Sequence, residues 1–290
     1  MLPDMTRKPR IAIVGAGNLG SALAVSLRRA GFTVDAVIAR PTGNSINRAR
    51  QLAKQIGARA LTDAADLRAE LVWFCVPDSE IGRAARMLAQ RVRWKGTVAL
   101  HSSGALTSDE LEPLRQCGAA VASVHPLMTF VAGSRPALDG VPFAIEGDLR
   151  AVRMARQIVR ELGGQPFAIR KKDKAAYHAW GTFASPLLTA LLATTERVAV
   201  SAGLKRKAAS RRMIPILLQT LANYAQRGAA KSFSGPIVRG DVDTVNRHLK
   251  VLESIPAARE VYASLARAGL QFLPVTHKNA LRRLLDSASD

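Results

Sequence analysis

The sequence predicts an α/β protein in which a mostly parallel, Rossmann-type sheet domain is followed by an all-α domain. Three observations carry this prediction. Short apolar runs alternate with segments of helical periodicity from residue 11 to about residue 170. Three closely spaced glycines join the first apolar run to the first helix. From residue 171 onward the periodicity is helical almost throughout. We therefore expect domains over 1–170 and 171–290.

A glycine motif joins the first strand to the first helix. Gly15, Gly17 and Gly20 form the pattern G-x-G-x-x-G directly after a buried apolar run. The first glycine permits a tight turn, the second lets the backbone approach a pyrophosphate, and the third lets the helix pack closely on the strand. Free N–H groups at the helix start, which includes Asn18 and Leu19, favour phosphate charge. This strand-turn-helix context predicts dinucleotide binding.

The second strand, expected over 32–38, ends where an acidic residue would bind the ribose hydroxyls of NAD. Residues 39–45 contain no acid, and Arg40 offers a guanidinium that suits a 2′-phosphate. The sequence therefore predicts NADP, and a plain charged loop residue is the alternative interpretation of Arg40. A helix over 46–56 and a short strand at 59–61 are expected next.

A continuous apolar run over 71–78 predicts a fully buried parallel strand that stops at a proline. Its end should lie beside the glycine turn, so Val76 and Pro77 are expected to line the cofactor site. Asp78 is expected to cap a helix over 79–91.

Two further apolar strands each end in a histidine, at His101 and at His125. A helix over 108–117 is expected between them. In an open α/β sheet, ligands bind at the carboxyl ends of the strands, so both histidines are candidates to contact the ligand, together with Ser102 and Ser103. The alternative for each histidine is a hydrogen-bonded structural role.

The alternation closes with a strand, a helix and a last strand, over 141–145, 149–162 and 166–169. The helical half then opens with Lys174, His178, Gly181 and Ser185, which share one helix face because they are three or four residues apart. Tyr177 lies beside that face as a substrate-binding candidate. The polar pattern suits a helix that borders a ligand cleft, and a solvated amphipathic face is the alternative.

The rest of the helical half contains one clear loop, expected over 234–241. Arg239 in this loop could bind a substrate carboxylate or phosphate, with a structural role as the alternative. Asp243 is expected to cap the next helix, and further helices are expected over 256–268 and 275–285.

Bulk properties narrow the classes of function. The net charge of +20 is spread over both halves, and its densest cluster, 205–212, lacks the aromatic residues that stack on nucleic acid strands. We therefore expect neither a nucleic acid nor a membrane partner. The two cysteines have no paired spacing, and residues 1–10 contain no apolar signal core. These features favour a reducing cytoplasm.

The motifs together resemble the Rossmann-like plus DUF2520 family, which is related to the 6-phosphogluconate dehydrogenase-like and pyrroline-5-carboxylate reductase-like proteins. The resemblance implies an NADP-binding domain followed by a helical domain that closes the cleft and, in related enzymes, often forms a dimer. It supplies no substrate. The motifs that carry it are the glycine turn, Val76-Pro77-Asp78, 101–104, 125–130, Tyr177-His178-Ala179 and 235–241.

The leading hypothesis is an NADP-dependent oxidoreductase that moves hydride between the nicotinamide and a small C=O or C=N substrate. Lys174 or His178 would be the acid/base, since the cofactor carries the hard chemistry and the protein places a proton donor. His101, Ser102 and His125 would orient the substrate, and Arg239 would bind an anionic group. Two alternatives stay open. One is a non-catalytic NADP-binding sensor. The other is a metal hydrolase built from His101, His125 and His178, against which counts the absence of a short pair of metal ligands in the sequence.

Overall fold

The structure, a computed structural model, describes residues 7–64, 67–91, 93–134 and 136–287. The first six residues, where the sequence shows no signal core, lie outside the described residues. The chain divides into two compact units, Met1–Thr182 and Phe183–Asp290.

The first unit is built on an eight-stranded sheet whose order is β3-β2-β1-β4-β5-β6-β7-β8 within the described residues. Strands β1 to β6 are parallel, β7 is antiparallel to β6, and β8 is parallel to β7. The predicted mostly parallel α/β fold is confirmed. The strands are β1 Ile11–Val14, β2 Val34–Ile38, β3 Arg59–Leu61, β4 Leu71–Phe74, β5 Val98–His101, β6 Ala120–Pro126, β7 Pro142–Gly147 and β8 Gln165–Ala168.

Helices cover both faces of this sheet because its strands alternate between two cores. Ile11 and Ile13 belong to a core that includes residues of α1, α2 and α5, whereas Ala12 and Val14 belong to a core with α3 and α4. Both faces are therefore buried, and a ligand meets the sheet at the strand ends. The helices of this unit are α1 Asn18–Arg29, α2 Asn44–Ile56, α3 Asp78–Ala89, α4 Glu112–Gln116, α5 Leu149–Glu161 and α6 Lys174–Thr182.

One helix of this unit differs from the prediction. The helix expected over 108–117 is a 3-10 turn, Ser108–Leu111, followed by the short α4. Thr107 caps the turn by accepting a hydrogen bond from the backbone N–H of Asp109, and a proline occupies the first turn of α4. Proline favours the start of a helix, so a separate helix, α4, begins at this point.

The second unit is helical, and its core lies between α10, α11 and α12, where Val245, Leu249, Ala263, Leu270 and Leu281 are buried together. A π-helical turn, Phe183–Leu187, precedes its first helix. The helices are α7 Leu188–Ser201, α8 Arg206–Ser232, α9 Pro236–Arg239, α10 Val242–Val251, α11 Pro256–Phe272 and α12 Lys278–Ser287.

Two predictions for this unit were wrong. The segment expected to be a loop over 234–241 contains the short helix α9. Asp241, rather than Asp243, caps α10, because its Oδ1 accepts a hydrogen bond from the backbone N–H of Thr244 at 3.0 Å. Gly240 ends α9 with a left-handed backbone, φ 66°, and so brings Asp241 into the capping position.

Across the described ranges, the helices are all too short or too polar to traverse a lipid bilayer.

Candidate functional site

The glycine turn has the geometry that a pyrophosphate needs. Gly15 has a φ of +103°, and a Cβ there would lie 2.5 Å from the carbonyl oxygen of Cys75, so only glycine fits. A Cβ on Gly20 would collide with the carbonyl oxygen of Gly15. A Cβ on Gly17 would meet nothing within 4 Å. The second glycine therefore borders open space, whereas the first and third are required by packing.

The start of α1 faces the same open space. Gly17 is the residue that precedes α1, no side chain caps the helix, and its first turn carries no acidic residue. The backbone N–H groups of Asn18, Leu19 and Gly20 are therefore available for an anion. The Asn18 amide donates a hydrogen bond to the carbonyl oxygen of Phe130 at 3.1 Å, which ties the glycine turn to the segment after β6. These residues fit a dinucleotide.

Arg40 follows β2 as expected and its side chain is 62% exposed. The structure adds an acidic neighbour that the sequence pattern did not reveal: Glu80, in the first turn of α3, lies 3.7 Å from the guanidinium of Arg40. The carboxylate comes from the helix that follows β4, and β4 and β2 are both neighbours of β1.

The residues that follow β4 contact both the glycine turn and the loop that follows β5. Val76 packs near Gly15, and Pro77 precedes α3. The prediction that Asp78 caps this helix was wrong: Asp78 is its first residue, and its Oδ2 accepts a hydrogen bond from Ser103 Oγ at 2.8 Å. Pro77, at φ −54° and ψ 148°, occupies the preceding cap position.

Two hydrogen bonds join Ser102, which directly follows β5, to residues of β4. The Ser102 hydroxyl accepts a hydrogen bond from Trp73 Nε1 at 2.8 Å, and its backbone N–H donates to the carbonyl oxygen of Phe74. Burial raises the pKa of the adjacent Cys75 thiol to about 12, with the hydrogen bond from Ser102 acting in the opposite direction. Cys75 is therefore a neutral packing residue, and both Cys75 and Cys117 are free thiols.

His101 is fully buried at the end of β5. Its Nε2 donates to the carbonyl oxygen of Thr107 at 2.9 Å, and its Nδ1 accepts from the backbone N–H of Ser103 at 3.1 Å. Both contacts agree with one neutral tautomer, because a carbonyl must accept and a backbone N–H must donate. Burial is the main reason that the pKa of His101 is lowered to about 4.

Lys174 is fully buried beneath the loop that follows β5. Its Nζ donates to the carbonyl oxygen of Ser103 at 3.0 Å and to Ser123 Oγ at 2.6 Å. Burial lowers its pKa to about 8, while the negative charges of Glu146 and Asp78 oppose that shift. The ammonium group therefore joins α6 to the ends of β5 and β6.

Glu146 is the member of this network that sequence reasoning missed. It lies on β7 opposite Ser123 of β6, is 6% exposed, and accepts hydrogen bonds from the backbone N–H and the hydroxyl of Ser108 at 2.6 and 2.9 Å. An acidic residue inside an otherwise apolar strand was the available signal, since buried carboxylates are rare without partners.

His125, Tyr177 and His178 form an aromatic cluster above this network. His125 Nδ1 is hydrogen-bonded to the hydroxyl of Tyr177 at 2.8 Å, and the rings of His125 and His178 meet edge-to-face at 5.9 Å. A Cβ on Gly104 would collide with His178 and would lie 2.9 Å from His125 Nε2. Glycine at position 104 therefore lets both imidazole rings approach the loop after β5.

Two protonation states in this cluster follow from burial. The pKa of His125 is lowered to about 4 by burial, and the positive charge of Lys174 adds to the shift. Burial raises the pKa of Tyr177 to about 12. Near neutral pH, His125 is thus an uncharged imidazole with one nitrogen fixed by Tyr177. His178 is an exposed residue.

The structure therefore brings most predicted site residues into the first unit. Arg239 is in the second unit, on α9, where its side chain is exposed. Its predicted contact with a substrate stays a prediction. Within the described residues, no group of three or more histidine, cysteine, aspartate or glutamate side chains is arranged to hold a metal ion.

Two family models match adjacent parts of the chain. The Rossmann-like domain model matches residues 4–126, and the model of DUF2520, a domain of unknown function, matches residues 141–269. The chain therefore contains a Rossmann-like domain followed by a DUF2520 domain. The first match ends with β6, and the DUF2520 domain begins with β7, where the sheet becomes antiparallel. Tyr177 and His178 thus belong to the DUF2520 domain, whereas His101 and His125 belong to the Rossmann-like domain.

Solved structures share this fold. Protein BF3122 of Bacteroides fragilis is 22% identical with a TM-score of 0.75, over 90% of this chain and 97% of that one. Protein TM1727 of Thermotoga maritima is 24% identical with a TM-score of 0.68, over 97% and 100%. A reductive aminase of Aspergillus terreus, solved with NADPH and ethyl-5-oxohexanoate, is 14% identical with a TM-score of 0.66, over 96% and 100%. These identities show a common fold. No curated protein matches the chain.

Proposed function

We propose that this protein is an NADP-dependent oxidoreductase that transfers hydride between the nicotinamide and a small C=O or C=N substrate. The observation that carries the proposal is the pair of His125 and His178 above Gly104, at the same edge of the sheet as the glycine turn. A phosphate-binding turn and a proton-transferring group at one sheet edge are what such a reaction requires.

The cofactor would be held by the glycine turn, the start of α1, Val76 and Pro77, with Arg40 toward the 2′-phosphate. When bound, the nicotinamide supplies or accepts the hydride. The fit rests on the open space beside Gly17 and the uncapped start of α1. The reductive aminase that has this fold was solved with NADPH, which supports the choice of cofactor.

His178 is the acid/base in this proposal. Reduction of a C=O or C=N bond needs one proton at the oxygen or nitrogen, and His178 is an exposed residue of a type that commonly serves as general acid or base. Lys174 is the other candidate from the sequence, but its ammonium is buried and bound to Ser103 and Ser123. We therefore assign Lys174 a positioning role for the loop after β5.

The neighbouring residues would position the substrate. His125 is neutral and would hydrogen-bond the substrate through Nε2, because Tyr177 fixes its Nδ1. His101, Ser102 and Ser103 hold the loop that contains Gly104, through Thr107, Trp73 and Asp78. In this proposal His101 is a positioning residue, since both of its ring nitrogens bind protein groups.

The direct test is NADPH oxidation by the purified protein against a panel of 2-oxoacids, aldehydes and cyclic imines. Turnover of one class, lost in the double variant Lys174→Ala, His178→Ala while NADPH still binds, supports the proposal. Tight NADPH binding without turnover of any of the three classes would favour a sensor instead. Loss of NADPH binding in the double variant would assign these residues to the cofactor site.

We also propose that a second copy of the chain covers helices α7 and α8. No residue of α7 is buried and α8 buries only Ala209. Ile214, Leu218 and Leu221 form an exposed stripe at positions i, i+4 and i+7, which indicates an interaction surface. Light scattering should give twice the mass of the chain, and Leu218→Lys should give monomers. A wild-type monomer would contradict this proposal.

A further inference from the structure

The end of β2 and the first turn of α3 place one carboxylate between two guanidinium groups. Glu80 Oε2 lies 3.7 Å from Arg40 Nη1 and 3.9 Å from Arg83 Nη1. Both distances exceed that of a direct hydrogen bond, so the contacts are loose ion pairs. The Glu80 side chain is 29% exposed, whereas those of Arg40 and Arg83 are 62% and 74% exposed. The two guanidinium groups are thus the accessible members.

The sheet topology gives this cluster its place. β2 and β4 lie on either side of β1. Arg40 follows β2, and Glu80 lies on the helix that follows β4. Their ion pair therefore extends across the carboxyl end of β1, where the glycine turn lies. The end of β2 is where dinucleotide-binding sheets distinguish a ribose hydroxyl from a 2′-phosphate.

The geometry points to Glu80 as a residue that weakens the preference for the phosphorylated pyridine nucleotide, an inference that rests on the proposed function. Without a nucleotide, Glu80 is the counter-ion of Arg40 and Arg83. A 2′-phosphate, with its larger negative charge, takes over both guanidinium groups and must displace the carboxylate. NADH has no such group and leaves the ion pairs intact. Glu80 therefore weakens binding of the phosphorylated nucleotide selectively.

The test is a set of calorimetric titrations of wild-type protein and Glu80→Gln at low ionic strength. The ligands are NADPH and NADH, together with adenosine 2′,5′-bisphosphate and 5′-AMP, which contain the adenosine half alone. In the variant, affinity for NADPH and the bisphosphate should rise about two- to five-fold, the range expected for one exposed ion pair. Affinity for NADH and 5′-AMP should stay unchanged.

Two further variants show whether the arginines bind the phosphate. Arg40→Gln and Arg83→Gln should each lower affinity for the bisphosphate and leave 5′-AMP unchanged. The gain in Glu80→Gln should also shrink as salt is added, because the charges involved are exposed. A gain that persists at high salt would contradict the electrostatic basis.

Glu161→Gln is the matched control. It makes the same change in net charge, its side chain is 26% exposed, and its partner is Lys8, which precedes β1. It should change none of the four affinities. Equal affinities in Glu80→Gln and wild type would overturn the inference alone. Weaker binding of NADH and 5′-AMP in Glu80→Gln would also overturn it, since Glu80 would then bind the ribose. A wild-type protein without affinity for NADPH or NADH would contradict the proposed function as well.

Discussion

His101 and His125 lie at the carboxyl ends of adjacent parallel strands, at the same edge of the sheet, yet the protein uses them differently. Burial lowers the pKa of both to about 4. Both ring nitrogens of His101 bind protein groups, whereas His125 is held through Nδ1 and directs Nε2 toward Gly104. The position of a histidine at the carboxyl end of a strand thus identifies it as a candidate site residue. Whether it can bind substrate depends on whether one ring nitrogen is still free to form a hydrogen bond.

The largest effect on turnover is expected from a substitution of His178, which lies beside His125. His178→Gln should lower turnover of the best substrate by about 10²- to 10⁴-fold, the range for loss of a general acid or base. NADPH affinity, measured by calorimetry, should change less than about two-fold because the fold is kept. His248→Gln makes the same change at a histidine of the second unit, so it is the control and should keep full turnover. Full turnover in His178→Gln would contradict the assignment of His178 as the acid/base.

The contrast between the two strand ends is sharpened by a matched pair of substitutions. His101→Leu should lower the free energy of unfolding by about 2–4 kcal/mol, because the Thr107 carbonyl and the Ser103 N–H would lose their partners in the interior. His125→Leu should lower the free energy of unfolding by only about 1 kcal/mol. Its main effect should be a loss of turnover. Denaturant unfolding and steady-state kinetics measure both. Equal stability losses would remove the distinction between the two histidines.

A smaller effect is expected in the pH dependence of stability. Burial lowers the pKa of Lys174 from 10.5 to about 8, so between these pH values the unfolded chain holds a proton that the folded protein has released. The free energy of unfolding should therefore rise with pH across that window, by at most about 1.4 kcal/mol per pH unit. In Lys174→Met this rise should disappear.

The control for that measurement is Lys54→Met, which removes an exposed lysine of α2 and should keep the wild-type pH dependence. An identical rise in Lys174→Met would show that another group releases the proton, and Lys174 would then not be the buried cation that joins α6 to the loop after β5.

The sequence predicted the sheet well because the central strands β1 and β4 are apolar and buried along their whole length, and their ends carry clear signals. It also predicted that His101 and His125 share one edge. It did not separate their roles, because the partners that fix His101, such as Thr107, are set by loop geometry. Glu80 and Glu146 were missed for a related reason: each reaches the site from a strand or helix remote in sequence, through pairing that topology alone creates. Asp78 was misassigned because α3 begins one residue earlier than expected, so that Pro77 occupies the cap position and the Asp78 carboxylate binds Ser103.

The central claim is that a phosphorylated pyridine nucleotide binds over the glycine turn, and Gly17→Val tests it most directly. A Cβ at Gly17 would meet no atom within 4 Å, and the backbone there is extended, at φ −73° and ψ −173°. The variant should therefore keep the wild-type Tm, while its added methyl groups take the space of the pyrophosphate. We expect calorimetry to show NADPH binding to wild-type protein and at least about 100-fold weaker binding to Gly17→Val. Equal affinity in the two proteins would contradict the account.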